Sequence, residues 1–64
     1  MPFIRVDILE GRTPEQKRAL IKELTEVTSR VLDTPAERVR VVITEIPKTH
    51  WGIGGVPVSE IPGR

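Results

Sequence analysis

Hydrophobic and polar positions alternate at the start of the chain. Ile4, Val6 and Ile8 fall on one side, and Arg5 and Asp7 on the other. This period of two predicts a strand over Phe3 to Leu9. Phe3 and Leu9 fall on the same side as the charges, so the second face is not wholly polar and is expected to meet a partner subunit. Gly11 ends the strand. Thr13-Pro14-Glu15-Gln16 then predicts a helix start: Thr13 caps, Pro14 suits the first helical position, and Gln16 closes a capping box. Leu20, Leu24, Val27 and Val31 recur at helical spacing, with Ala19, Ile21 and Leu32 widening the stripe. Lys17, Arg18, Lys22, Glu23, Glu26 and Arg30 are expected on a solvated face. Asp33-Thr34-Pro35 breaks the helix near Leu32. Thr34 and Glu37 are expected to frame one further short turn.

The stretch "VRVVITEI", Val39 to Ile46, predicts a second strand. Val39, Val41 and Ile43 share one side, Val42 and Ile46 the other, a pattern of burial on both faces. One helix covers one face, so the other face is expected to pack against another chain. A strand, a helical crossover and a strand predict a right-handed βαβ unit with parallel strands. The tail "HWGIGGVPVSEIPGR" predicts a loop or short hairpin over Gly52 to Val58. Repeats, linkers and low-complexity segments are absent, and residues 1–64 read as one domain.

Sixty-four residues are few for an independent core. Such a chain buries only about 60% of the surface it exposes when unfolded, and disulfides, a metal or oligomerisation usually supplement it. Cysteine is absent and histidine occurs once, at His50. This gives no metal-ligand cluster and leaves oligomerisation. A net charge of +1 and two aromatics, Phe3 and Trp51, lack the basic and aromatic stripe of a nucleic-acid binder. No apolar run approaches the ~20 residues of a membrane span. Arg5 and Asp7 interrupt the first apolar stretch, which argues against a signal peptide and for a soluble, cytoplasmic protein.

The candidate chemistry is sparse. Gly52-Ile53-Gly54-Gly55 does not lead from a strand into a helix, so it is no phosphate loop. Pro2 follows the initiator methionine. Proline suits a strand start because it lacks an N–H. It also permits removal of Met1, which would leave a free secondary amine. A free α-amine has a pKa near 7.7–8.0. Burial against an apolar wall and nearby cations both lower such a pKa, which would make the amine a general base at neutral pH. Arg12, after the Gly11 turn, and Arg40, the odd cation in an apolar strand, offer forks for carboxylates. A solvated edge position is the plainer reading of Arg40. Trp51 offers the wall. Spacing alone leaves open whether these residues converge.

Four motifs in this order, "PFIRVDILEGR", "EQKRALI", "VRVVITEI" and "HWGIGG", closely resemble the 4-oxalocrotonate tautomerase family, also called 2-hydroxymuconate tautomerases. The resemblance runs to about Ser59. It implies an α+β fold: a β-α-β unit with a short C-terminal hairpin, paired into dimers with a four-stranded sheet and two helices, and three dimers in a hexamer. It implies an isomerase that converts a 2-hydroxy-dienoate to its conjugated 2-oxo isomer in aromatic catabolism, without cofactor or metal. Pro2 would be the amino-terminal base. Arg12 would hold the distal carboxylate of a dicarboxylate. Arg40, from a neighbouring subunit, would polarise the 2-oxygenated end. Leu9 and Trp51 would line the site, with Trp51 where the family often has phenylalanine. Two alternatives accompany this reading: a haloacrylate dehalogenase or hydratase of the same superfamily, and a non-catalytic subunit of a heterohexamer. The proline-rich tail "VPVSEIPGR" departs from the family's usual basic end.

Overall fold

The computed structural model describes residues 1–63. Strand β1 (Phe3–Leu9) leads through Gly11, at φ +117°, into helix α1 (Pro14–Leu32). The expected capping box forms: Gln16 N–H donates to Thr13 Oγ1 at 3.1 Å, and Thr13 N–H donates to Gln16 Oε1 at 2.9 Å. The helix stops where the sequence predicts. Asp33 adopts a left-handed conformation (φ 51°) and donates its N–H to the Ser29 carbonyl, a common way to satisfy a helix C-terminus.

Strand β2 (Arg40–Ile46) lies parallel to β1, with Phe3 opposite Arg40 and Leu9 opposite Ile46. It starts one residue later than expected. Val39 instead closes a 3-10 turn over Ala36–Arg38, donating its N–H to the Ala36 carbonyl at 3.1 Å. That turn opens on Pro35, not on Thr34. Thr34 is tied back to the helix, its N–H on the Ser29 carbonyl and its own carbonyl accepting from Ser29 Oγ.

After a second 3-10 turn (Lys48–His50), strands β3 (Gly52–Ile53) and β4 (Val56–Pro57) pair antiparallel. The expected hairpin is therefore present. Gly54 and Gly55, at φ +59° and +85°, form its two-residue loop. Positive φ at both positions is the turn whose twist suits a tight hairpin. Val58 N–H donates to the Trp51 carbonyl at 2.7 Å, and Val58 is the most buried side chain, 2% exposed.

The parallel register sorts the sheet into two faces. Ile4, Val6, Ile8, Val41, Ile43 and Glu45 share the face towards α1. Phe3, Arg5, Asp7, Leu9, Arg40, Val42, Thr44 and Ile46 share the other, which no helix covers. Two strands are narrow for a nineteen-residue helix. Leu20 and Leu24 are half-buried as expected, but Val27, Val31, Ile21 and Leu32 stay exposed. Thr28 and Ser29 take half-buried positions instead. Lys17, expected in solvent, is also half-buried, and its Nζ donates to Glu45 Oε1 at 2.7 Å.

The protomer is a slab of 42 × 24 × 14 Å. Its radius of gyration is 14.8 Å, whereas a compact chain of this length has about 11 Å. Its accessible surface is 5041 Å², against about 4,100 Å² for a compact monomer of this size. A chain shaped this way leaves hydrophobic surface for partners.

Candidate active site

Pro2 sits just before β1. It is half-buried, and its carbonyl accepts the Arg40 N–H at 3.0 Å. Its ring lines an open, largely apolar groove of about 460 Å³ with Phe3, Ile4, Val27, Thr28, Val31 and Leu32. The exposed valines of the helix thus form a wall beside the proline. An amine here would have apolar surface on one side, which disfavours its charged form.

Arg40 begins β2 opposite Phe3, on the uncovered face of the sheet. Its guanidinium is not simply solvated. Nη1 donates to the Glu37 carbonyl at 2.7 Å and approaches the Val39 carbonyl at 3.5 Å. Nearby on the same face, Arg5 lies over the Phe3 ring, 5.3 Å from its centroid, within cation–π range.

Arg12 is at the other end of β1, about 20 Å away along the strand at roughly 3.3 Å per residue. It borders a second groove of about 240 Å³ with Ile8, Gln16, Lys17 and Leu20. Lys17 is engaged by Glu45 and Gln16 by the cap, so among the described residues Arg12 is the cation of this groove with no hydrogen-bond or ion-pair partner.

Trp51 is half-buried and borders a shallow depression with Asp7, Ile46, His50 and Gly52. Leu9, half-buried, shares the uncovered face with Ile46, its register partner. Within one chain, then, backbone pairing joins Pro2 to Arg40 but presents them on different surfaces. Arg12 and Trp51 lie towards the far end. One protomer does not assemble the four residues into one pocket.

Asp7 and His50 border Trp51, a neighbourhood the sequence does not predict. Strand parity could have placed Asp7 on the Leu9 face, but the return of the tail across Ile46 has no local signal. Among the described residues, no group of three or more His, Asp or Glu is placed to hold a metal ion. No helix there is long and apolar enough to cross a membrane.

Comparison with known proteins places the whole chain, rather than these positions, in a family. The family model described as "Tautomerase enzyme" matches residues 2–61. A 2-hydroxymuconate tautomerase of Pseudomonas putida is 59% identical over 61 residues, covering 95% of this chain and 97% of that protein. Among solved structures, a 4-oxalocrotonate tautomerase isozyme of Methylibium petroleiphilum superposes with a TM-score of 0.91 at 46% identity, covering 98% of this chain and 100% of the other. A heterohexameric 4-oxalocrotonate tautomerase of Chloroflexus aurantiacus gives 0.91 at 39% identity, covering 95% and 98%.

Proposed function

Because the chain belongs to the tautomerase family, whose reaction is an isomerisation by proton transfer, we propose that it ketonises 2-hydroxymuconate or a closely similar dienol. The observation that carries this reading is the 59% identity, over nearly the whole of both chains, to a protein named for that substrate.

Pro2 is the general base once Met1 is removed. Its amine takes the 2-hydroxyl proton, and the same proton, or one exchanged with it, is returned to the far carbon of the conjugated system. Nothing is gained or lost overall: an O–H bond breaks, a C–H bond forms, and the double bonds shift. Arg12 pairs with the distal carboxylate as a charge-assisted fork. Arg40 stabilises the negative charge that develops on the 2-oxygen. Leu9 and Trp51 exclude water, which strengthens both interactions. The chain's own groups supply the proton transfer, with no cofactor or metal.

The separation of these residues within one protomer supports a site completed between subunits. The uncovered sheet face supports the same conclusion. We accordingly propose a homohexamer of three dimers, each dimer a four-stranded sheet with two helices, with residues 1–64 forming its single domain. A cytoplasmic place in the meta-cleavage breakdown of aromatic compounds accompanies this reading.

The test is direct assay of the purified, Met1-trimmed chain with 2-hydroxymuconate, monitoring the conjugated 2-oxo product. Ketonisation well above the uncatalysed rate is expected. An inactive, fully trimmed homo-oligomer would overturn the reading and favour the subunit of a heterohexamer. Turnover of haloacrylates but not of the dienol would favour a dehalogenase.

A further inference from the structure

Arg40 does more than start a strand. Among the described residues its side chain bonds through Nη1, to the carbonyls of Glu37 at 2.7 Å and, weakly, Val39 at 3.5 Å. A guanidinium offers a carboxylate two paired edges, Nη1 with Nη2 and Nε with Nη2. Holding Nη1 on carbonyls occupies the first edge and leaves the second. The turn that supplies the Glu37 carbonyl is itself restrained. Pro35, at φ −60°, opens it and accepts the Arg38 N–H at 3.0 Å. Val39, only 8% exposed, closes it on the Ala36 carbonyl.

We infer that the Ala36–Arg38 turn is a positioning element that aims the Nε–Nη2 edge of Arg40 at the substrate. This rests on the reading of Arg40 as the polarising arginine and deepens it. Two parallel N–H donors on that edge match two coplanar oxygens on adjacent carbons. One meets a carboxylate oxygen and the other the 2-oxygen. This is the oxygenated end of the 2-hydroxy or 2-oxo acid that the proposed function already gives to Arg40. An acid lacking the 2-oxygen fills only half the fork. Because the turn forms on folding, the fork is oriented before substrate arrives, which lowers the ordering cost of binding the transition state.

The experiment combines a double-mutant cycle with side-chain NMR on the trimmed, assembled protein. Pro35→Gly loosens the turn without touching the guanidinium. It should lower kcat roughly three- to ten-fold while changing KM less than about two-fold, since positioning acts on the reacting oxygen. In an Arg40→Ala background the same change should cost nothing further, because the turn acts only through that arginine. Independently, nitrogen-15 spectra of wild-type protein should show the Arg40 Nε–H shifting on titration with 2-oxoadipate, a saturated 2-oxo dicarboxylate. Adipate, without the 2-oxygen, should shift it much less. Additive losses in the cycle would overturn the inference. So would equal Nε–H shifts with the two acids, and this arm decides the matter should Pro35→Gly fail to assemble. Full activity in Arg40→Ala would instead remove the underlying role of Arg40, and the positioning element with it.

Discussion

The two faces of the sheet differ in what covers them. On the face towards α1, Ile4, Val6, Ile8, Val41 and Ile43 are half-buried, and Glu45 is paired with Lys17. On the opposite face Phe3 is 57% and Val42 42% exposed, with Arg5, Asp7, Arg40 and Thr44 interleaved among the apolar residues. The first face is that of an ordinary α+β layer, in which a helix stripe meets a strand stripe. The second mixes exposed apolar side chains, Phe3 and Val42, with charged and polar ones. Such a mixture suits an interface that also carries a polar site. In the proposed assembly the apolar residues there would supply association, and Arg40 the chemistry. Where a single chain lacks the length to enclose a pocket, subunit contacts can do so.

The largest effect should come from placing a charge on the uncovered face. Val42→Asp puts an unpaired carboxylate where a neighbouring chain is expected, at a cost of several kcal/mol per buried charge. Sedimentation should show dissociation to smaller species, and activity should vanish with assembly. A variant still hexameric and active would mean that this face remains in solvent.

Arg40→Ala and Arg12→Ala should each keep the assembly and lose activity. Loss of a charge-assisted hydrogen bond costs about 1.5–3 kcal/mol, roughly ten- to a hundred-fold in rate. Arg12→Ala should act mainly on dicarboxylates and spare monocarboxylates. Equal losses on the two substrate types would contradict its role at the distal carboxylate.

Trp51→Ala should move the acidic limb of the pH–rate profile. In the proposed mechanism the active form of the base is the neutral amine, so activity would rise with pH through its pKa. An apolar ring raises the cost of the ammonium form and lowers that pKa. Removing the ring should therefore shift the limb to higher pH, towards the ordinary α-amine range. An unmoved limb would separate Trp51 from the amine.

Thr13→Ala should give the smallest effect. It removes the cap seen at the start of α1 and costs about 1 kcal/mol of stability. Denaturant unfolding should register that loss while kcat stays near its original value. A large fall in kcat would show that the covered side is tied to the chemistry.

Features governed by near neighbours in sequence were legible. Alternation gave β1, Thr13-Pro14-Glu15-Gln16 gave the helix start, and Gly54-Gly55 fits the tight hairpin loop. The errors lie where tertiary contacts compete. Val39 has strand character, yet its N–H closes a turn. Val27 and Val31 have core spacing, yet the two-stranded sheet is too narrow to reach them, and they border Pro2 instead. Lys17 looks solvated, but the register brings Glu45 beneath it. At the site, residue types were legible from their chemistry, whereas their convergence was not, because spacing within one chain does not encode contacts between chains. The carbonyl that holds Arg40 left no trace in the sequence either, since every residue carries one.

The central claim is that the proposed site joins Pro2 of one chain to Arg40 of another. It can be tested by mixing two inactive chains. Pro2→Leu keeps Met1, because leucine is too large for its removal, and so has no amine at the site. Arg40→Ala keeps the amine but lacks the fork. Equal amounts refolded together should form mixed hexamers in which roughly a quarter of the sites combine an intact Pro2 with an intact Arg40, given random assembly of a symmetric oligomer. Ketonisation of 2-hydroxymuconate should then recover to about that fraction of the wild-type rate. Mixed hexamers no more active than the average of their two parents would contradict the claim and place both residues of each site on one chain.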